Sequence, residues 1–291
     1  MSIQTAHCVA AVLTTYKPDA AFRSRIAELP KLAKVIVVDN TPGGHRFSSE
    51  DSDGLVILQD GCNKGLGKAL NLGIKEARRL GCEQVILFDQ DSTPSADFAC
   101  ALLDGLRKAG YKAAVGPKLI DDQELFSPRV ESNGTATEVS YLATSGMAFN
   151  ISCSISDKEF AEDLFLDFVD MDWCWRMRYQ EGWKFYCLDS VLMPHRLGLA
   201  QRKLFGVTYH VPPPYRHYFQ FRDTFRLTRR NYAPSRSRWR LRLILLPKLL
   251  VYPFILGNGA ERVLWMARGI RDAILAVKGI GAADHKLQRN S

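Results

Sequence analysis

A chain of 291 residues with 46% hydrophobic and 24% charged residues has the composition of an ordinary folded protein, and it can hold one large α/β domain with an appended segment. Its seven cysteines are scattered and include no Cys-x-x-Cys pair, which argues against a disulfide framework and a zinc site. Residues 1–7 lack the charged and apolar regions of a signal peptide, so we expect a cytoplasmic protein with reduced thiols.

The net charge of +8 is concentrated in residues 216–242, which we call the basic segment. This segment contains nine arginines and a single acidic residue, Asp223, so it carries a charge of +8 and the rest of the chain is nearly neutral. A local excess of arginine predicts contact with an anionic partner, which could be membrane lipid, phosphate or nucleic acid.

Predicted strands and helices alternate in the first half of the chain. Short apolar runs predict strands at residues 9–13, 35–38, 55–58 and 85–88. Helical spacing of apolar residues predicts helices over residues 19–29 and 66–80. This β-α-β-β-α-β order predicts an α/β fold with a mostly parallel sheet flanked by helices. In the less regular second half, we expect a strand at 113–117 and a helix over 171–181.

Two apolar segments follow the basic segment. Residues 243–256 are interrupted by two prolines and a lysine, and they are shorter than the roughly 20 apolar residues of a spanning helix. Residues 260–278 have one apolar and one basic helical face, which fits a helix lying on a membrane and equally a helix packed on the domain. We therefore expect a main domain over 1–205 and a helical, basic extension over 206–291.

The triplet Asp89-Gln90-Asp91 follows the strand predicted at 85–88. Carboxylates at the carboxyl end of a parallel strand project into the crevice where open α/β sheets bind ligands. They are hard oxygen ligands suited to Mg²⁺ or Mn²⁺, and such an ion usually carries phosphates as well. His195 could complete this metal site or be structural. A turn that caps the next helix also fits the local sequence.

Two more polar features lie at the same predicted edge. Asp39 ends the second strand, where its carboxylate could accept an imide N–H of uracil or thymine, although an Asx turn through Asn40 and Thr41 fits as well. Asn63-Lys64-Gly65 opens the helix over 66–80, where glycine lets backbone approach a ligand and the helix start favours anions. The loop matches neither a Walker A sequence nor Gly-x-Gly-x-x-Gly.

Residues 167–176 place three aspartates beside two tryptophans. Asp170 lies at the predicted helix start, and a carboxylate near a sugar hydroxyl is a competent general base. Asp172 and Arg176 are four residues apart and can pair on a helix. Trp173 offers a flat apolar face on which a sugar ring could stack. A capped amphipathic helix with buried tryptophans is the alternative.

Together these motifs resemble the family 2 glycosyltransferases of the GT-A fold, over about residues 8 to 200. The matching motifs, in the family's order, are Thr15-Tyr16, Val-Val-Asp39-Asn40, Asn63-Lys64-Gly65 with Asn71, Asp89-Gln90-Asp91, Ser145-Gly146, Val169-Asp170 and His195. Asp-Gln-Asp-Ser and the stretch 167–176 are similar in detail to the bacterial rhamnosyltransferase branch. Two departures are Asp172, where the branch commonly has Glu, and Arg222-Asp223, where it usually has Arg-Asn. The Gln-x-x-Arg-Trp of processive synthases is absent from the sequence.

The resemblance implies a Rossmann-like GT-A domain that carries out a single, inverting, metal-dependent transfer. The donor would be a nucleotide sugar, dTDP-L-rhamnose, and the acceptor a glycan or glycolipid of a growing lipopolysaccharide or other surface polysaccharide. It also implies Mg²⁺ or Mn²⁺ as cofactor, and a cytoplasmic enzyme bound peripherally to the anionic inner face of the membrane, with no nucleic acid partner.

The same resemblance assigns roles to individual residues. Asp170 would be the catalytic base, Arg222 would contact the diphosphate, and Asp39 would contact the nucleotide base. The residues expected to bind the donor nucleotide are Thr15, Tyr16, Asp39, Asn63, Lys64, Gly65, Asp89, Gln90 and Asp91. Those expected to hold the metal are Asp89, Asp91 and His195, and those expected in the acceptor pocket are Ser145, Gly146, Asp172 and Trp173.

Two other functions fit part of the sequence. A nucleotidyltransferase that forms the sugar nucleotide would use a similar sheet, but it would carry a glycine-rich basic loop where this chain has Thr14-Thr15-Tyr16-Lys17-Pro18. A non-catalytic protein that binds nucleic acid or another anionic polymer would explain the basic segment. It would leave unexplained the acidic cluster at 167–172, which repels phosphates.

Overall fold

The computed structural model describes residues 8–27, 29, 33–45, 47, 55–95, 97–120, 136–151, 159–194, 200–204 and 207–275. The strands are β1 (Val9–Thr15), β2 (Ala33–Asp39), β3 (Leu55–Gln59), β4 (Gln84–Asp89), β5 (Ala113–Ile120), β6 (Ala136–Glu138), β7 (Ala148–Asn150), β8 (Lys184–Pro194), β9 (Ala200–Leu204) and β10 (Val207–Val211). The helices are α1 (Phe22–Ala27), α2 (Leu66–Arg79), α3 (Phe98–Ala109), α4 (Val169–Glu181), α5 (Arg216–Thr228), α6 (Ser235–Leu250), α7 (Tyr252–Ile255) and α8 (Gly259–Ile274).

The main sheet has the strand order β3-β2-β1-β4-β7-β5-β8-β6. Strands β1 to β4 pair in parallel, and so do β5 and β8, whereas β7 and β6 are antiparallel to their neighbours. Strands β9 and β10 form a separate antiparallel pair. The mostly parallel α/β sheet predicted from the sequence is therefore confirmed.

Helices cover both faces of this sheet, which is why its central strands are nearly continuous apolar runs. On one face, Val12 and Ile36 join the apolar core that α2 and α4 complete. A side chain at Gly73 would collide with Val12, so α2 approaches β1 closely because residue 73 is glycine. On the other face, α3 buries Leu102 and Leu106 against the sheet. Helix α3 is not among the predicted helices, although its buried residues have helical spacing.

Helix α8 packs against α5 and completes the fold. A Cβ at Gly269 would lie 2.5 Å from the carbonyl oxygen of Tyr218, so the two helices are in close contact. The hydroxyl of Tyr218 donates to Asp272 at 2.9 Å, and Met266 is fully buried. For residues 260–274 the structure therefore supports the packed helix of the two alternatives, although Val263 and Ile274 of the apolar face remain exposed. Residues 276–278 lie outside the described residues.

Two further predictions concern the C-terminal part. The expected boundary between residues 205 and 206 falls between β9 and β10, which pair with each other, and this domain division stays a prediction. Among the described helices, none combines the length and the apolar character that crossing a bilayer requires.

Candidate active site

The carboxyl ends of β1, β2 and β4 meet at one edge of the sheet. The register pairs Thr15 with Asp39 and Thr14 with Asp89, so the polar residues that end these strands lie side by side. The side chain of Gln90 crosses this edge, where its Oε1 accepts the backbone N–H of Tyr16 at 2.8 Å. Gln90 therefore holds the loop after β1 against the turn after β4.

Asp39 forms the Asx turn that the sequence left open as an alternative. Its carboxylate is 2% exposed, and Oδ1 accepts the backbone N–H and the hydroxyl of Thr41 at 3.1 and 2.6 Å. Oδ1 also accepts the hydroxyl of Thr15 at 3.1 Å, and Oδ2 accepts the N–H of His45 at 2.8 Å. Because a carboxylate oxygen has two lone pairs, Oδ2 can take one more donor. The contact with the nucleotide base stays a prediction.

The loop Asn63-Lys64-Gly65 joins the sheet edge to the segment that precedes α4. Gly65 has a φ of +82°, and a Cβ there would lie 2.8 Å from both the ring and the carbonyl oxygen of Phe165, so only glycine fits. The N–H of Leu66 donates to the same carbonyl at 2.7 Å. The first backbone N–H of α2 therefore already has an acceptor within the protein. Lys64 forms an ion pair with Asp60.

Asp170 lies in the first turn of α4, next to other carboxylates. Burial is the main reason that the pKa of Asp170 rises from 3.8 to about 6. A hydrogen bond of 2.7 Å from the N–H of Met171 to Oδ1 opposes this rise, while the negative charges of Asp89 and Asp167 add to it. The negative charges of Asp89, at the end of β4, and of Asp167, before α4, therefore both act on Asp170.

The backbone at the start of α4 is strained. Phe168 has a φ of +68°, in the left-handed region that a bulky residue rarely adopts. Such a conformation costs roughly 1–2 kcal/mol and persists where the surroundings demand it. It lies between Asp167 and Asp170, so the strain coincides with the acidic site.

Comparison with known proteins agrees with this architecture. No family model matches the chain. The chain is 30% identical, over 294 residues, to dTDP-rhamnosyl transferase RfbF of Shigella flexneri, a match that covers 93% of this chain and 95% of that protein. The chain belongs to the family 2 glycosyltransferases. Because the relative is a dTDP-rhamnosyl transferase, the match also confirms the branch that the motifs indicated.

Solved structures share the fold of this glycosyltransferase at low sequence identity. Residues 1–349 of S. aureus TarS, in complex with UDP-GlcNAc, superpose with a TM-score of 0.57 at 16% identity, covering 93% of this chain and 81% of that one. A longer TarS chain gives a TM-score of 0.54 at 15% identity, and this chain spans about half of it (49%). The structure of GalNAc-T7 with UDP, GalNAc and Mn²⁺ superposes with a TM-score of 0.52 at 12% identity, and the match covers 94% of this chain and 58% of that one. At these identities the likeness establishes the GT-A fold.

The turn after β4 carries both aspartates of the triplet. Oδ1 of the half-buried Asp89 accepts the hydroxyl of Thr144 at 3.3 Å, and Asp91 is exposed. In the part of the chain that the structure describes, no three His, Cys, Asp or Glu side chains cluster closely enough to hold a metal ion, and His195 lies outside the described residues. Mg²⁺ is commonly bound by one or two carboxylates plus substrate phosphates and water. Two carboxylates on one turn fit a metal site that the donor completes.

Ser145 and Gly146 support this turn from behind. The hydroxyl of Ser145 is 2.9 Å from that of Ser92, which accepts the backbone N–H of Asp89 at 3.0 Å. Ser145 is 3% exposed, and a Cβ at Gly146 would lie 2.8 Å from Pro117. Their predicted place in an acceptor pocket does not fit this burial; the structure assigns them to positioning the Asp89–Ser92 turn.

Asp172 and Trp173 are also buried, with 0 and 1% of their surface exposed. Asp172 is 0% exposed, accepts the hydroxyl of Tyr232 at 2.7 Å and lies 3.4 Å from Nε of Arg230, instead of pairing with Arg176. Trp173 is stacked on a phenylalanine in the core. The predicted acceptor contacts are thus corrected: Asp172 anchors α4 to the chain after α5, and Trp173 is a core residue.

Arg222 is not placed to reach a diphosphate. Its side chain is 1% exposed, pairs with Asp223 at 2.7 Å and lies over the rings of Tyr218 and Phe219. Asp223 in turn accepts the N–H of Phe165 at 3.3 Å. The predicted diphosphate contact is corrected to a buried ion pair that fixes the segment before α4.

Other ion pairs connect α5 and the turn after it to the acidic segment 159–172. Arg230 pairs with Asp163 at 2.6 Å, and Arg226 donates to the carbonyl oxygen of the same residue. Most arginines at the start of the basic segment therefore have partners inside the protein. We use the name α5 latch for the contacts that Asp223, Arg226 and Arg230 make with the segment 159–172.

Arg216, at the start of α5, is a candidate site residue that the sequence did not single out. Its Nη2 lies 3.0 Å from Oδ1 of Asp167, and its side chain is 31% exposed. Oδ2 of Asp167 and Nε of Arg216 are buried without a hydrogen-bond partner among the described residues. Burial is the main reason that the pKa of Tyr215, the residue before Arg216, is raised, and Tyr16 of the loop after β1 adds to this rise. In the sequence, Arg216 is one of nine similar arginines, and nothing local distinguishes it.

Proposed function

We propose that this glycosyltransferase transfers L-rhamnose from dTDP-L-rhamnose to a hydroxyl group of a growing surface glycan, with inversion at the anomeric carbon. The single observation that carries the chemistry is Asp170, a half-buried carboxylate with a pKa near 6 at the edge of the sheet. The name of the 30% identical relative supports the choice of donor.

In the proposed reaction, Asp170 accepts the proton of the acceptor hydroxyl while that oxygen attacks the anomeric carbon. The bond from this carbon to the diphosphate breaks on the opposite face, and dTDP leaves with the bonding electron pair. One displacement inverts the configuration, so no covalent nucleophile on the enzyme is required. A pKa near 6 suits a base at neutral pH, because the group is ionised and still has appreciable basicity.

The negative charge of the leaving dTDP requires compensation on the donor side. Asp89 and Asp91 would hold Mg²⁺ or Mn²⁺, which supplies positive charge to the leaving diphosphate. Arg216 replaces Arg222 as the guanidinium proposed to contact the diphosphate, since its Nε is buried without a partner beside Asp167. The base-binding role of Asp39 and the metal role of His195 are kept as part of this proposal.

The acceptor is proposed to be a glycan or glycolipid, reached at the cytoplasmic face of the membrane. An amphiphilic acceptor is confined to the bilayer surface, so an enzyme that binds this surface peripherally meets it at high local concentration. The basic C-terminal helices support this location, because anionic lipids attract arginine and lysine.

The test is a donor screen with product mass as readout, followed by one variant. We expect dTDP-rhamnose to give a product whose mass is larger than that of the acceptor by one deoxyhexose, and UDP sugars to give no product. If dTDP-rhamnose gave no product, the proposed donor would be wrong. Asp170→Asn should lower kcat by about 10²–10⁴-fold, while dTDP affinity stays within a few-fold. Asp97→Asn, which changes an exposed carboxylate at the start of α3, is the matched control and should be fully active. If Asp170→Asn kept more than about a tenth of wild-type turnover, the base assignment would be wrong.

A further inference from the structure

The outward side of α6 is an apolar stripe in contact with solvent. Trp239, Leu243, Leu246 and Leu250 are spaced so that they lie on one side of the helix, and they are 66, 59, 50 and 65% exposed. Phe254 of α7 continues the stripe and is 87% exposed. Single exposed apolar residues are normal on a protein surface, but a contiguous row of large ones marks an interaction site. We call these five residues the α6 stripe.

Two arginines accompany the amino-terminal half of this stripe. Arg236 and Arg240 line the same shallow groove as Trp239, Leu243, Ile244 and Pro247. Several other arginines of the basic segment are paired inside the protein, as the α5 latch shows, so they contribute less to the surface charge. The α6 stripe is therefore apolar along its length and basic at one end.

We propose that the α6 stripe docks on an anionic lipid bilayer, with its apolar side chains among the acyl chains near the headgroups and Arg236 and Arg240 on the lipid phosphates. The inference rests on the proposed function, because it specifies how that enzyme meets an amphiphilic acceptor. Two features favour lipid over a second protein: the arginines lie beside the apolar row, where headgroup phosphates would be, and tryptophan prefers the boundary between water and acyl chains. In α8, by contrast, Met266 of the apolar face is used in packing.

One arginine of the proposed surface, Arg240, acts electrostatically on the same tyrosine as Asp170. Burial and then the charge of Asp170 raise the pKa of Tyr141, and the charge of Arg240 opposes this, so both charged groups are near the same tyrosine. On the inner side of α6, Nζ of Lys248 donates to Gln220 at 3.1 Å, which fixes α6 against α5.

The experiment is co-sedimentation of the intact protein with vesicles, combined with tryptophan emission. Vesicles of phosphatidylcholine with phosphatidylglycerol should bind the protein at low salt, and vesicles of phosphatidylcholine alone should bind it much more weakly. Of the five tryptophans, the other four are at most 8% exposed, so a blue shift on binding reports Trp239 and should vanish in Trp239→Phe. Leu243→Glu should lower the vesicle partition coefficient about tenfold or more, because it replaces an inserted apolar group with an anion.

Two further variants complete the design. Tyr179→Glu introduces the same charge at a residue of α4 that is equally exposed, at 56%, and it should bind vesicles like the wild type. Arg236→Gln combined with Arg240→Gln should weaken binding about thirtyfold at low salt and little at high salt, since each surface arginine contributes about 1 kcal/mol of attraction to anionic lipid.

The outcomes separate this inference from the proposed function. If wild-type protein does not bind anionic vesicles at low salt, or Leu243→Glu binds as well as wild type, the docking surface is wrong, whatever the enzyme does with a soluble acceptor. A concentration-dependent dimer that Leu243→Glu converts to a monomer, with vesicle binding unchanged, would assign the stripe to a second copy instead. If vesicle binding depends on the stripe while no rhamnose is transferred to any acceptor, the proposed function fails and the docking surface stands.

Discussion

Replacing Asp170, the proposed catalytic carboxylate, should make the protein more stable. In Asp170→Asn, the amide oxygen can still accept the N–H of Met171, but the half-buried negative charge, which is raised in energy by Asp89 and Asp167, is removed. The rise of the Asp170 pKa from 3.8 to about 6 corresponds to about 3 kcal/mol of unfavourable interaction for the ionised form, at about 1.4 kcal/mol per pKa unit. We take this as an upper bound on the gain in free energy of unfolding at pH 7.5.

The sign of the pH dependence follows from the same values. Between pH 3.8 and 6, the folded wild type keeps a proton on Asp170 that the unfolded chain has lost, so its free energy of unfolding falls as the pH rises through this window. The Asn variant has no such group. The free energy of unfolding of Asp170→Asn should exceed that of the wild type by almost nothing below about pH 3.8. The difference should be about 1 kcal/mol at pH 4.5 and about 3 kcal/mol above pH 6.

Urea denaturation at pH 4.5 and pH 7.5, followed by circular dichroism, measures both values. Asp97→Asn, at an exposed position, should show no comparable gain at either pH. A variant of Asp170 that is no more stable than wild type at pH 7.5 would refute the reasoning, because it would mean that a positive charge in the folded protein already compensates this carboxylate.

Two other substitutions probe the supports of the site. Asp172→Ala should lower the free energy of unfolding by about 1–3 kcal/mol and should also lower kcat, because it leaves the hydroxyl of Tyr232 without its partner. If urea denaturation showed a variant as stable as the wild type, the anchoring role of Asp172 would be wrong. Gly65→Ala should lower the free energy of unfolding by about 1–3 kcal/mol through backbone strain, and further because the new methyl group collides with Phe165. It should also reduce activity. Gly81→Ala has a similar φ of +77° with nothing within 4 Å of the new methyl group, so equal losses in the two variants would show that the contact with Phe165 is unimportant.

The sheet and the position of its ligand edge could be predicted from the sequence. Runs such as Val85–Phe88 have to be buried on both faces, and the strand order then brings Asp39 and Asp89 together. The sequence also indicates that Asp170 lies at a helix start within an acidic cluster, and its role as the base stays a prediction. The helix α3 was not predicted, although Leu102 and Leu106 have the spacing of a buried helical face.

The residues that were placed incorrectly share one cause. A tryptophan or an arginine looks the same in a sequence whether it faces a ligand or the interior, and only tertiary packing decides. Trp173 faces the core because α4 lies against the sheet, and Arg222 is held by the adjacent Asp223. Arg216 could not be distinguished from the other arginines, since its partner Asp167 lies 49 residues away in the chain.

The α5 latch has a consequence for exchanging parts between related enzymes. Asp223 and Arg230 of the C-terminal half hold the backbone or side chains of the segment 159–172, which carries Asp170. A chimera that takes its C-terminal helices from another enzyme would break these contacts unless it also takes that segment. The crossover point should therefore lie before residue 159, so that the helices and Asp170 are inherited together.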